Sequence, residues 1–234
     1  MLSVYHPLMD AGAELRGARE QLVRYAGRLV ADELAVGAAG NLSIRVHDLI
    51  AITPSGIGYD ELAPSDICVV TLAGDEVEAT ETPSTELPMH LAVYAATDAH
   101  AVVHTHSAEV VALSATCTEL PAIHYAITNL GGPVRVASYV RFGSTALADA
   151  AVAALAGRQA AILQNHGAIC YGATLPAAYD RALLLEWLAR VYRLARDYGE
   201  PSILSQEDLD EVSAEARRRR YGERRSQRAA APGH

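Results

Sequence analysis

The sequence predicts an α/β domain in which helices surround a central sheet. Three observations carry that prediction. Segments with helical spacing alternate with short β-branched runs along the chain. Its 234 residues, half of them hydrophobic and a fifth charged, suffice to bury one large core. No internal repeat or low-complexity linker divides them, so residues 1–234 read as a single domain, with an Arg-rich tail from about residue 217 expected to be flexible.

Each element has its own signal. Residues 12–36 place Leu15, Ala18, Leu22, Ala26, Val30 and Leu34 three and four apart and meet Gly37, which predicts an amphipathic helix with a glycine stop. "NLSIRV", "LIAIT" and "DICVVTL" predict three short strands. In "STELPMHLAVYAA", Ser84 is a capping residue and Pro88 falls early, so a helix is expected from Ser84. "HAVVHTHS" predicts the next strand and residues 108–115 a short helix after it. "GGPVRVASYV" and "AAILQNHGAICYG" read as two more strands, separated by a helix over "STALADAAVAALAG". Ala178, Leu184, Leu185, Leu188, Tyr192 and Ala195 form the apolar stripe of a long helix, and "QEDLDEVSAEARRR" is the last helix.

Composition excludes several kinds of chemistry. The chain has no lysine, so all nineteen basic residues are arginine and a Schiff-base mechanism is ruled out. A formal charge of −9 argues against general nucleic-acid binding, and the basic "RRRRYGERRSQR" reads as a solvated terminal segment. Cys68, Cys117 and Cys170 are odd in number, far apart and outside any C-x-x-C pattern, as expected of reduced thiols in a cytoplasm. No apolar run reaches the roughly 18 to 20 residues that cross a bilayer, and the first twenty residues lack a signal-peptide pattern, so a soluble, cytoplasmic protein without a membrane partner is expected.

Chemistry concentrates in a few places. His104 and His106 are two apart at the end of an apolar run, so in a strand both imidazoles project to one side. His166 follows another apolar strand and precedes Gly167, which lets the backbone approach a neighbour closely. Three imidazoles with one open position would make a catalytic site for zinc, or for another divalent ion such as manganese. Glu86, two residues into its expected helix with His90 one turn later, is either a helix-start carboxylate or, near a metal, a general base. "GAAGNLS", "TPSGIG" and "PSTE" supply backbone N–H groups, hydroxyls and a helix start, which together bind a phosphate without lysine.

The ordered set "AGNLS", "ITPSG", "PSTE", "HTHS", "PAIHY" and "QNHG" resembles the class II aldolase and adducin head family, from about residue 15 to the tail. The resemblance implies a three-layer sandwich with a mainly antiparallel central sheet, and a cyclic homotetramer with sites between subunits. It implies that His104, His106 and His166 bind a divalent metal, zinc first and manganese or cobalt after it, with Glu86 as the acid/base and a ligand in the substrate-free state. It further implies a phosphate pocket from Gly40, Asn41, Ser55, Gly56, Ser84 and Thr85, a role for Tyr125 in the next subunit's site, and closure by Tyr221. The implied activity is cleavage of a ketose 1-phosphate, of the L-fuculose 1-phosphate or 5-deoxyribulose 1-phosphate type, to dihydroxyacetone phosphate and an aldehyde. The rivals are a sugar-phosphate 4-epimerase, which resembles this chain but carries Asp where Glu86 stands, a methylthioribulose-1-phosphate dehydratase, and a structural adducin-like head, which would be expected to lose the metal ligands.

Overall fold

A computed structural model describes residues 6–219. Helix α1 (His6–Ala31) leads into β1 (Asn41–Val46), β2 (Leu49–Ile52), β3 (Cys68–Thr71) and β4 (Glu76–Glu78). Then come α2 (Leu87–Ala96), β5 (Ala101–Thr105), α3 (Ala108–Ser114), β6 (Glu119–Leu120) and a 3₁₀ turn at Tyr125–Leu130. The chain continues through β7 (Val134–Ala137), α4 (Thr145–Leu155), β8 (Ala160–Leu163), β9 (Gly167–Gly172), α5 (Leu175–Tyr198) and α6 (Gln206–Arg218).

The nine strands form one sheet in the order β4-β3-β2-β1-β5-β9-β8-β7-β6. All neighbours run antiparallel except β7 and β8. That pair is parallel because α4 carries the chain back between them, as a crossover must.

Two-residue alternation sorts the strands' side chains into two cores. Ala101, Val103, Ile162 and Cys170 pack with α1 and α5, through Leu22, Leu29, Leu185 and Leu188. Val102, Ala161, Leu163 and Ile169 pack with α2 and α4, through Met89, Val93, Leu147 and Ala151. The expected three-layer sandwich with a mainly antiparallel sheet is therefore the observed architecture.

Several boundaries differ from those the sequence predicts. α1 ends at Ala31, before the expected glycine stop, and Glu33 takes a left-handed conformation (φ 59°) that lets Leu34 N donate to Leu29 O. Leu34 is fully buried after this turn and Val30 is exposed, so the helical spacing of that pair was coincidental. α2 starts three residues later than Ser84, because Ser84 N is committed to Thr53 O and Pro88 sits at the first turn. "AAILQNHGAICYG" is two antiparallel strands, folded at Asn165 (φ 53°). β4, β6 and the 3₁₀ turns at Pro64–Asp66 and Tyr125–Leu130 went unpredicted, being too short to show a period.

Gly167 opens β9 against β5, where an added Cβ would lie 2.0 Å from Thr105 O. Gly167→Ala should therefore lower stability by about 3 kcal/mol, since the backbone it meets cannot give way. Urea unfolding checks this, and an unchanged midpoint would contradict the packing.

Candidate metal centre and active-site cleft

Three parts of the chain deliver four ligating side chains to one point. His104 lies inside β5, in step with Val102 and so on the face that α2 covers. His106 follows one residue past the strand end, where alternation returns it to the same side. His166 comes from the β8–β9 turn, which Asn165 makes by adopting the left-handed region that short amide side chains tolerate. Glu86 is the N-cap of α2, at φ −99° and ψ 11°, and not two residues into the helix. His90 N still bonds Glu86 O, 3.3 Å away.

The ligating atoms of Glu86, His104, His106 and His166 all lie within 4.8 Å of one another. The three rings stand edge-on, with centroids 4.7, 4.9 and 4.9 Å apart. His104 Nδ1 is 2.8 Å from the Ala168 carbonyl, which can only accept, so the lone pair of Nε2 faces the cluster. There it meets His106 Nε2 at 2.8 Å and Glu86 Oε2 at 2.8 Å. Glu86 Oε1 has His166 Nε2 at 3.3 Å, outside hydrogen-bond alignment, and stays buried with no donor.

Charge completes the set. Burial opposes ionisation of Glu86, but positive charge at His104 and then at His166 outweighs it and holds the carboxyl well below the usual range, and with neutral rings a bound cation would supply that charge instead. Burial, with His104 and His166 alongside, pushes His106 down to about 3 and keeps it neutral. Convergent imidazole lone pairs around a carboxylate oxygen without a donor repel one another unless a cation sits among them. These residues thus fit a divalent ion that takes nitrogen and oxygen ligands.

Glu86, His106 and His166 line a cleft of about 350 Å³, and His104, fully buried, joins them from beneath its surface. Gly40, Asn41, Ser55, Gly56, Ser84 and Thr85, the six residues expected at a phosphate, all line it. Two loops come together there because Ser55 N donates to Thr82 O (2.9 Å) and Ser84 N to Thr53 O (3.2 Å). Gly40 (φ 75°) packs so closely on β5 that a Cβ would lie 2.7 Å from His104 O. The buried Tyr59 hydroxyl donates to Gly40 O at 2.6 Å and so fixes the loop from behind.

Other residues fall elsewhere. Tyr125 does not line the cleft of its own chain; it is 56% exposed, with its ring on His124. Tyr221 lies outside the described residues. The rim contains Tyr139, Val140 and Phe142, which sequence reasoning missed. Two aromatics soon after a strand were the available signal, hidden because "GGPVRVASYV" read as one continuous strand. Sequence spacing put His90 on the face of Glu86, and from that face its ring reaches Asn41 and Ser43.

Comparison with known proteins agrees with this geometry. The family described as Class II Aldolase and Adducin N-terminal domain matches residues 20–193. The 5-deoxy-D-ribulose 1-phosphate aldolase of Bacillus thuringiensis serovar kurstaki is 37% identical over 202 residues, which are 85% of this chain and 95% of that protein. The L-fuculose phosphate aldolase of Escherichia coli strain K12 is 38% identical over 176 residues, 74% of this chain and 81% of that one. A solved L-fuculose 1-phosphate aldolase superposes with a TM-score of 0.83 at 37% identity, covering 86% of this chain and 96% of its own. The chain belongs to the class II aldolase and adducin family. The three proteins named above are aldolases, and this chain shares their fold and is a class II aldolase, a lyase.

His106→Ala removes one candidate ligand and leaves the fold's two cores intact. Metal affinity should fall by more than the roughly 10- to 100-fold that loss of an outer partner costs. Metal analysis after gel filtration tests this, and full occupancy in the variant would rule out the three-histidine centre.

Proposed function

We propose that this class II aldolase cleaves a ketose 1-phosphate, of the L-fuculose 1-phosphate or 5-deoxyribulose 1-phosphate type, to dihydroxyacetone phosphate and an aldehyde. The observation that carries the reading is the meeting of Glu86 with three imidazoles, two of which, with Glu86, line a cleft walled by small residues and hydroxyls. The names of the relatives support both substrates. Retention of Glu86, where a 4-epimerase resembling this chain carries Asp, favours the aldolase over that rival, and retention of all three histidines disfavours a non-catalytic head.

The chain's own residues divide the work. Backbone N–H groups at Gly40 and Gly56, the hydroxyls of Ser55, Ser84 and Thr85, and the start of α2 receive the phosphate, with Asn41 beside them. His104, His106 and His166 hold a divalent ion, zinc in this reading with manganese or cobalt as alternatives, and when bound it stabilises negative charge on the ketose oxygens, the electrophilic role that lysine cannot fill here. Breaking the C3–C4 bond takes a proton from the C4 hydroxyl and leaves C3 one proton short. Glu86, in its protonated form, delivers a second proton to C3 and so becomes a carboxylate, which retrieves that proton in the condensing direction. Tyr125 of a neighbouring subunit takes the C4 hydroxyl proton, and Tyr221 closes over the site.

A cyclic tetramer is part of this proposal, and the exposure of Tyr125 supports it, because a residue outside its own cleft can serve the next one. A cytoplasmic setting is supported by the three free cysteines. No helix among the described residues is long and apolar enough to cross a membrane.

Two experiments test the function. Dihydroxyacetone phosphate should be released from both sugar phosphates, stop on chelation and resume when zinc or manganese is added back. Recovery of the sugar as its C4 epimer, with no triose phosphate, would move the assignment to an epimerase. Glu86→Gln should keep metal on the three histidines and lose about 10²- to 10⁴-fold in kcat, the usual worth of a positioned proton carrier. Unchanged turnover would remove Glu86 from the role.

A further inference from the structure

Behind Glu86 a polar chain runs away from the cleft into the interior. Asn41 Nδ2 donates to Glu86 Oε2 at 3.0 Å, and Asn41 Oδ1 lies 2.6 Å from His90 Nε2. His90 Nδ1 lies 2.7 Å from Ser43 Oγ, which lies 2.8 Å from the Tyr94 hydroxyl. All five residues are buried, His90 and Ser43 completely.

The pattern has a simple geometric origin. Glu86, His90 and Tyr94 recur every four residues on α2, while Asn41 and Ser43 recur every two on β1. Four helical residues advance about 6 Å. Two strand residues advance roughly 6.6 to 6.8 Å. Helix and strand therefore stay in step, and their polar groups interleave in the order Glu86, Asn41, His90, Ser43, Tyr94.

Every proton in the chain has one consistent place. An ionised carboxylate only accepts, so the amide nitrogen of Asn41 faces Glu86 and its oxygen faces His90. That oxygen also only accepts, so His90 Nε2 carries hydrogen. Burial, and then His104, push His90 down to about 3, which leaves Nδ1 bare to accept from Ser43. The Ser43 oxygen in turn accepts from Tyr94. Turning the Asn41 amide over would set oxygen against carboxylate and N–H against N–H, so the tautomer of His90 locks the amide.

We infer that His90 is a positioning residue for this reaction, holding the Glu86 carboxylate in its productive orientation through Asn41. The inference rests on the reading of Glu86 as the proton carrier at C3. The chain ends at a buried tyrosine under the sheet, so it is a strut for Glu86 and offers no path to solvent. It also gives the Asn41 side chain a task apart from the phosphate.

Two conservative substitutions separate positioning from core stability. Gln at 90 can keep a donor near the Nε2 position facing Asn41 and loses the acceptor for Ser43. Asn at 90 does the reverse. In the metal-loaded enzyme, exchange of the hydroxymethyl proton of dihydroxyacetone phosphate with solvent reads the Glu86 step directly. His90→Asn should lose about tenfold or more in exchange rate, with KM for dihydroxyacetone phosphate and metal content unchanged. His90→Gln should stay near the parent rate although its melting temperature falls by a similar amount. Equal exchange in the two variants, or a loss confined to KM or metal content, would overturn the inference. If His90→Asn does not fold, Ser43→Ala unlocks the same tautomer and should slow exchange at constant KM; an unaltered rate there would also overturn it. Glu86→Gln run alongside keeps the two readings apart. Exchange surviving in Glu86→Gln defeats the proton-carrier reading, whereas exchange lost there and kept in His90→Asn defeats only the role of His90.

Discussion

A carboxylate buried among three imidazoles is the constraint on which the rest of this structure depends. Removing charge from water costs several kcal/mol per ion unless partners replace the solvent. The fold meets that cost from two directions. On the cleft side, His104, His106 and His166 bring lone pairs to one point and make a cation the natural occupant. On the inner side, Asn41 supplies the hydrogen bond that fixes Glu86 Oε2. Neither side suffices alone, since the second carboxylate oxygen has no donor.

Close backbone packing brings these groups together. Gly40 and Gly167 both sit where a Cβ would strike a backbone oxygen of β5 or its end, at His104 and Thr105. One glycine presses the small-residue loop against the centre, and the other presses the His166 turn against it. The phosphate-sized wall and the metal floor therefore share one strand as their reference. Small movements of β5 would displace both ends of a substrate at once.

The absence of lysine fits the same division of labour. An electrophile is still needed to take up charge when a carbon–carbon bond breaks, and an ion on three imidazoles is the remaining source. In the proposed reading, phosphate is received by amides and hydroxyls, groups that take no part in proton transfer. The titrating chemistry thus narrows to one carboxylate in the cleft and a tyrosine proposed to come from a neighbour.

By itself the sequence determined the alternation of helices and short strands, the three histidines and Glu86 as ligand candidates, and the small-residue loops. Those features are local: period, cap chemistry and residue type are written in a few consecutive positions. Only the tertiary structure decided that "AAILQNHGAICYG" folds back at Asn165, that α1 stops before Gly37, and that Tyr139 and Phe142 reach the cleft rim. It also decided what His90 touches. Its spacing from Glu86 was visible, but the match between a four-residue helical step and a two-residue strand step appears only when α2 lies across β1. Such a pairing depends on two segments more than forty residues apart finding one register, and that is set by packing of the whole sheet and its helices, where no local signal reaches.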